Sequence, residues 1–488
     1  MTTPEPHRST VGTMEGEPWQ WSAAAIATAV RTRAVTASDV AASVLDRIRA
    51  TNPTLDALVD VDEEDVLAAA AAADRAVADG RALGPLHGVP TSIKINTDQR
   101  GLPTTNGVVA YTDDVAPDDS TVAAALRRAG AIFVGRSNAP AFSLRWFTDN
   151  ALHGATSNPW SAERTPGGSS GGAASAVAAG MLPIAQGNDI GGSIRYPAYA
   201  CGVAGLRPTI GVISSRSSRR RRPPTPSINR HLMSTHGPIA REVADLRSAL
   251  RAMVSVDVRE AASVPITPLT SVPVETVGVV RGADSDTVVQ TALDDATAML
   301  RDAGIRVQEV ELPELVEASR LWGLLNLADL RLVAKVMADL TDDATVTSME
   351  NVLAFIAEVW GDDPGLDDLA AGWTRRNALV AAVHDRFDEM PVMLTPPSSR
   401  PPFLLGADTA GGSTTRAMID AQWPQTALPT LGLPGVSVPT GVADGLPTGV
   451  QVIGPRFSDE TLLDVAQLIE DRAGTITPVT PWGQRARG

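Results

Sequence analysis

Apolar and polar positions follow two rhythms along this chain. In "TASDVAASVLDRIRA", Val40, Val44 and Ile48 recur every four residues, the spacing of one helix face. Thr36 and Asp39 stand at capping-box spacing and mark where that helix starts. "DEEDVLAAAAAADRAVADG" predicts a second helix, ending near Gly80, and "STVAAALRRAG" a third that stops at Gly130. The apolar run "AIFVG" follows at once, as a buried strand would. "VGVVRG", a helical stretch from Asp284 to Ala303, and "IRVQEVEL" repeat the strand–helix–strand order. Residues 314–390 are strongly helical and carry Trp322, Trp360 and Trp373. The chain then returns to short apolar strands, "VSVPTG" and "GLPTGVQVIG", and to a helix starting near Ser458. This alternation predicts an α/β protein. Val254–Val274, rich in Pro, Ser and Thr, reads as a long loop. There is no internal repeat, and no composition break cuts the chain. The expectation is one large domain over residues 21–480, behind a polar, frayed segment at 1–20.

Composition narrows the function classes. The 488 residues carry 41 basic and 56 acidic side chains, a net charge of −15. That balance argues against a general affinity for nucleic acid or for an anionic membrane. The one basic run, "SRSSRRRRPP" (Ser215–Pro224), reads as a solvated loop. Cys201 is the single cysteine, so an intrachain disulfide is impossible and the residue reads as a small buried core side chain. The first twenty residues hold no apolar signal core, and no apolar run approaches the ~20 residues of a membrane span. A soluble cytoplasmic protein is expected. Among the basic residues only Lys94 and Lys335 are lysines. A lysine can lose its proton inside a protein and an arginine effectively cannot, so a lysine in this chain stands out. Lys335 lies in "RLVAKVMADL", a surface helix by its pattern.

The chemistry concentrates in "TPGGSSGG", Thr165–Gly172. A flexible linker would sit in polar sequence, whereas "AASAVAAG" follows directly, a small-residue helix suited to tight packing. A second Gly-Gly-Ser lies downstream in "GNDIGGSIRYPA". A Walker loop needs a Gly-Lys-Ser/Thr end, and no lysine is near. Gly167, Ser169 and Gly171 do match G-x-S-x-G, the nucleophile elbow of α/β-hydrolases, which would make Ser169 the nucleophile of an esterase. That elbow requires a strand directly before it, and "NPWSAERTP" does not read as one.

The two Gly-Gly-Ser elements belong to a longer ordered set. "LHGVPTSIKINT", "GLPTTNG", "AGAIFVGRSN", "HGATSNPW", "GGSSGG", "GNDIGGSIRYPA", "STHGPIAREVADL" and "GLPTGVQVIGPRFSDETLL" occur in this order between about residue 20 and residue 472. The set resembles the amidase signature family of serine hydrolases. The resemblance implies a central mixed β-sheet covered by α-helices in a single domain, and hydrolysis of carboxylic amides through an acyl-enzyme. It implies Ser193 as nucleophile, Ser169 as relay after a cis Gly168–Ser169 bond, and Lys94 as general base. The backbone N–H groups of Ile190, Gly191, Gly192 and Ser193 are the implied oxyanion hole. Ser170, Asp189 and Arg195 would support the site, the last two by ionic hydrogen bonds that lock the loop. Trp146 and Phe147 are candidates for the substrate pocket or for the core.

The implied substrate is a small amide, with esters, carbamates and anilides reacting by the same attack. No metal and no organic cofactor is expected, since there is no H-E-x-x-H pair and no cysteine cluster. Homodimers through the N-terminal helices are common in the family. Departures from the family pattern include Ile95 after the lysine, Ala141 where an acid is common, and Asn188 before Asp189. The glutamine-hydrolysing component of the tRNA-dependent amidotransferase is the alternative within the family. It typically has glutamine where this chain has Tyr196, and its "YGRVSRYG" segment is replaced by "GVISSRSSRRRR".

Overall fold

A computed structural model of the protein describes residues 16–218, 227–265, 269–282 and 284–484. Among these, the main sheet has eight strands. Their order is Arg306–Glu309, Thr276–Val279, Val392–Thr395, Leu446–Ile453, Gly435–Ala443, Ala204–Arg207, Thr235–Ala240 and Ile184–Asp189. The first three run parallel and the remaining neighbours pair antiparallel, so the sheet is mixed. A second, three-stranded sheet holds Leu58–Val59, Ile132–Ser137 and Pro90–Lys94 in that order.

Local sequence explains the helices that cover these sheets. In Ala37–Leu55 the Thr36 side chain accepts from the Asp39 N–H at 3.0 Å, and the Asp39 carboxylate accepts in turn from the Thr36 backbone N–H. A cap of this kind is worth about 1 kcal/mol. Val40, Val44 and Ile48 all face the core. Gly171–Ala178 is buried at every position, because only small side chains let a helix lie this close to its neighbours. It shares one core with Ala37–Leu55, Val243–Met253, Asp459–Ala473 and the sheet strands. A second apolar cluster forms between Glu314–Met337, Leu366–Glu389 and Trp423–Leu431.

One sequence expectation changes here. Fraying through residue 20 does not hold for its last part: Pro18–Gln20 forms a 3-10 turn, the Trp19 N–H donates to Ser43 Oγ at 3.2 Å, and the Arg47 guanidinium lies 4.2 Å above the Trp19 ring. Residues 1–15 lie outside the described residues. The Arg-rich run lies there too from residue 219 onward, while Ser217 and Ser218 are tied to Asp98 by their hydroxyls. Val254–Val274 holds no helix or strand among its described residues, as expected. Cys201 is fully buried and its thiol donates to the Pro166 carbonyl at 3.3 Å.

Candidate active site

Lys94 ends the strand Pro90–Lys94, which runs beside the edge strand Ile184–Asp189 of the main sheet. A side chain joins the two: the Lys94 N–H donates to Gln186 Oε1 at 3.0 Å. In the edge strand, Gln186 and Asn188 share one face by the two-residue period. That face meets Lys94. The lysine is fully buried, and Nζ lies 2.7 Å from Ser169 Oγ, 3.0 Å from Ser170 Oγ and 3.0 Å from Asn188 Oδ1. None of the three partners is charged. Burial therefore pushes the amine well below its ordinary value of 10.5, and the charge of Asp189 only partly opposes that.

Ser169 and Ser170 stand just before the buried small-residue helix. The Gly168–Ser169 bond is cis. The glycines ahead of Ser169 are required by crowding: a Cβ on Gly168 would lie 2.6 Å from the Phe147 backbone nitrogen. So "GGSSGG" is backbone pressed against backbone, the reverse of a linker. The Ser170 N–H donates to the Ser193 carbonyl at 3.1 Å, which holds the two Gly-Gly-Ser loops side by side.

Ser193 follows the edge strand on the turn 190–194. Asp189 shapes that turn. Its carboxylate accepts from the Gly192 N–H at 2.9 Å and the Ile194 N–H at 3.2 Å. Arg195 meets the same carboxylate with two contacts, at 3.0 and 3.1 Å, and both residues are fully buried. Burial alone would raise the Asp189 carboxyl, but Arg195 and Arg207 hold it below its usual value. Gly192 has φ +97°, and a Cβ there would lie 2.5 Å from Gln425 Cβ. No other residue fits.

One expectation needs correction, and the choice left open for Trp146 and Phe147 is settled. The Gly192 N–H is occupied by Asp189, so it is not a free donor for an oxyanion. Among the described residues nothing accepts from the N–H groups of Ile190, Gly191 and Ser193. Phe147 is buried, stacked on Phe403 with centroids 6.5 Å apart, and takes no part in the cavity wall; its aromatic bulk fills the core instead. Trp146 does line the cavity, a space of about 1900 Å³ that also contacts Ser169, Asn188, Ser193 and Trp322.

Sequence reasoning noted Asn188 only as a departure from the family pattern and gave His236 and Trp322 no role in the site. His236 sits opposite Asn188 in the sheet register and lines the same cavity. The Gln186 amide nitrogen donates to His236 Nδ1 at 2.9 Å, which leaves the ring proton on Nε2. Burial holds this imidazole neutral, its pKa down to about 4. Only the register reveals His236, and only packing reveals Trp322. Among the described residues no group of His, Cys, Asp and Glu is placed to hold a metal ion.

A mixed sheet under helices, with a buried lysine against paired Gly-Gly-Ser loops, defines a hydrolase of amide C–N bonds. Residues 39–463 match the family described as Amidase, and the chain belongs to it. It is 40% identical over 474 residues to an indoleacetamide hydrolase of Bradyrhizobium diazoefficiens, covering 95% of this chain and 88% of that protein. It is 38% identical over 410 residues to an indoleacetamide hydrolase of Bradyrhizobium japonicum, covering 79% of this chain and 83% of that protein. A glutamyl-tRNA(Gln) amidotransferase chain of Heliobacterium modesticaldum is 31% identical, with 90% of this chain and 94% of that one covered. Among solved structures, a bacterial aryl acylamidase of the amidase signature family superimposes with a TM-score of 0.77 at 27% identity, covering 94% and 97% of the two chains.

Proposed function

We propose that the chain hydrolyses small aryl-substituted carboxylic amides, arylacetamides above all, with Ser193 as nucleophile, Ser169 as relay and Lys94 as base. The observation that carries this is the buried Lys94 amine 2.7 Å from Ser169 Oγ, among three uncharged partners. A neutral amine has a lone pair, and the Ser169 O–H donates to it. Ser169 then takes the proton of Ser193 as that oxygen attacks the carbonyl carbon. The N–H groups of Ile190, Gly191 and Ser193 receive the developing oxyanion, one such donor being worth roughly 3 kcal/mol of barrier. Collapse breaks the C–N bond, and the proton returns from Lys94 through Ser169 to the departing amine. Water then attacks the acyl-enzyme by the same relay and releases the acid. Ser170 and Asn188 hold Nζ in place. Esters, carbamates and anilides present the same carbonyl.

The aryl preference rests on the cavity wall, where Trp146, Trp322, Phe142, Phe355 and Met418 supply apolar surface, and on the indoleacetamide relative. The experiment is a substrate panel of indoleacetamide, an anilide, an alkyl amide, an aryl ester, a carbamate and glutamine, with Ser193→Ala as control. Turnover of arylacetamides, abolished in Ser193→Ala, and one fluorophosphonate label at Ser193 are the expected results. Labelling at Ser169 would refute the assignment and restore the nucleophile-elbow reading. Preference for glutamine would favour the amidotransferase reading that the 31% relative offers. We also propose a homodimer through the N-terminal helices, which a size-exclusion profile checks, and a cytoplasmic location, which cell fractionation checks.

A further inference from the structure

The oxyanion turn is gripped by two tryptophans from separate parts of the chain. Trp322, in the helix Glu314–Met337, donates its indole N–H to the Ile190 carbonyl at 2.8 Å. Trp146, in the loop before the first Gly-Gly-Ser, donates to the Gly191 carbonyl at 2.8 Å. Both are half-buried and both line the cavity. The Trp322 ring also packs on the turn, since a Cβ on Gly191 would lie 3.3 Å from it.

In a trans peptide the C=O of one residue and the N–H of the next point in opposite directions. Fixing the Ile190 carbonyl on Trp322 therefore fixes where the Gly191 N–H points, and that N–H is one of the unengaged donors. Fixing the Gly191 carbonyl on Trp146 fixes the next peptide, whose N–H is already on Asp189. The second peptide is thus held at both ends. The first is held at its carbonyl and keeps its N–H free for a ligand. Two consecutive glycines have few torsional preferences of their own, so the turn depends on such outside bonds to keep its donors aimed. A donor already aimed needs no reorganisation when charge develops on the carbonyl oxygen. Tryptophan suits the task because its indole offers a single donor and no acceptor.

We propose that Trp322 and Trp146 are positioning residues for the oxyanion turn, the Trp322 indole N–H aiming the Gly191 donor at the reacting carbonyl oxygen and the Trp146 indole N–H fixing the peptide that follows it. This rests on the assignment of Ser193 as nucleophile. The same rings form the pocket wall, so the test must separate aiming from walling. Trp322→Phe and Trp146→Phe keep an aromatic ring and remove the N–H. Benzothienylalanine at position 322 keeps the full ring shape and removes only the N–H, which covers a Trp322→Phe chain that fails to fold.

Three quantities are read: kcat and KM on an arylacetamide, affinity for benzyl trifluoromethyl ketone, and affinity for phenylacetate. The ketone forms a tetrahedral adduct on a serine, and the acid occupies the pocket without one. Each loss of an N–H is expected to lower kcat about 3- to 10-fold, the worth of one hydrogen bond, and to weaken the ketone by the same factor. KM and phenylacetate affinity should stay within about twofold of wild type. Unchanged kcat and ketone affinity would overturn the inference. So would raised KM and weakened phenylacetate binding with kcat preserved, because that is the signature of a wall. A wild-type chain that takes no label at Ser193 removes the serine reading and this inference together.

Discussion

At the scale of single residues, Lys94 carries the sharpest test. Lys94→Arg keeps the positive charge and nearly the length. An ion-pair role would survive the change, but a base would not, since the guanidinium stays protonated up to about pH 12.5 or above. The expected loss is on the order of 10²–10⁴ in kcat, while the exposed Lys335→Arg, in the helix Glu314–Met337, leaves turnover unchanged. Near-wild-type turnover of a folded Lys94→Arg chain would refute the base. The same side chain sets a pH profile. A general base at Lys94 must be the neutral amine, so on the proposed mechanism kcat/KM is expected to fall as pH falls through the Lys94 pKa in the folded protein. Burial lowers that pKa, and the limb is expected well below 10.5. Part of this was legible in the sequence: Lys94 is one of two lysines in a chain that otherwise uses arginine, and it stands in a segment that resembles the family's lysine motif. Its partner Asn188 was visible only as a departure from the family pattern, and its bond to Nζ depends on two strands meeting.

At the scale of elements, the helix Ala23–Thr32 is anchored by an acid far along the chain. Asp245 accepts from the N–H groups of Ala23 at 2.7 Å and Ala24 at 3.1 Å. Nearby, Glu470 accepts from the Val243 N–H, the first of the helix Val243–Met253, at 2.9 Å. Burial raises both acids, Asp245 to about 7 and Glu470 to about 8; Glu242 adds to each, and Arg241 partly offsets the rise at Asp245. Folding therefore takes up protons that the unfolded carboxyls, near pKa ~4, have lost. The native state is favoured below that value, and the advantage is lost as pH rises through about 7 to 8. The thermal midpoint is expected to fall between about pH 5 and pH 9. Glu470→Gln keeps an acceptor but cannot ionise, so its midpoint should fall less over that range. Parallel slopes for the two proteins would exclude the assignment. The capping box at Thr36 and Asp39 was plain in the sequence because both partners lie within one turn. The Asp245 anchor was not, because its partners lie 222 and 221 residues away along the chain.

At the scale of the whole molecule, the reaction is assigned to groups that the chain itself supplies, and turnover is expected to survive prolonged chelation. Loss of activity with EDTA and its recovery with zinc would sink the lysine mechanism. The cavity, about 1900 Å³, exceeds the ~300–1,000 Å³ typical of small-molecule sites, so its volume admits amides larger than an arylacetamide. By itself the sequence determined the α/β class and the amidase family, and it singled out Lys94, Ser169 and Ser193. The α/β class lives in local periodicity, while the family and the three residues follow from the resemblance of an ordered set of short motifs to the amidase signature family. Tertiary structure decided which N–H donors of the turn 190–194 remain free, since Asp189 takes the Gly192 N–H. It also turned Phe147 into the core, set His236 across from Asn188, and brought Trp146 and Trp322 onto neighbouring carbonyls of one turn. The reason is distance. Most of these contacts join segments tens to hundreds of residues apart, and whether a polar group is occupied or open depends on what packs against it.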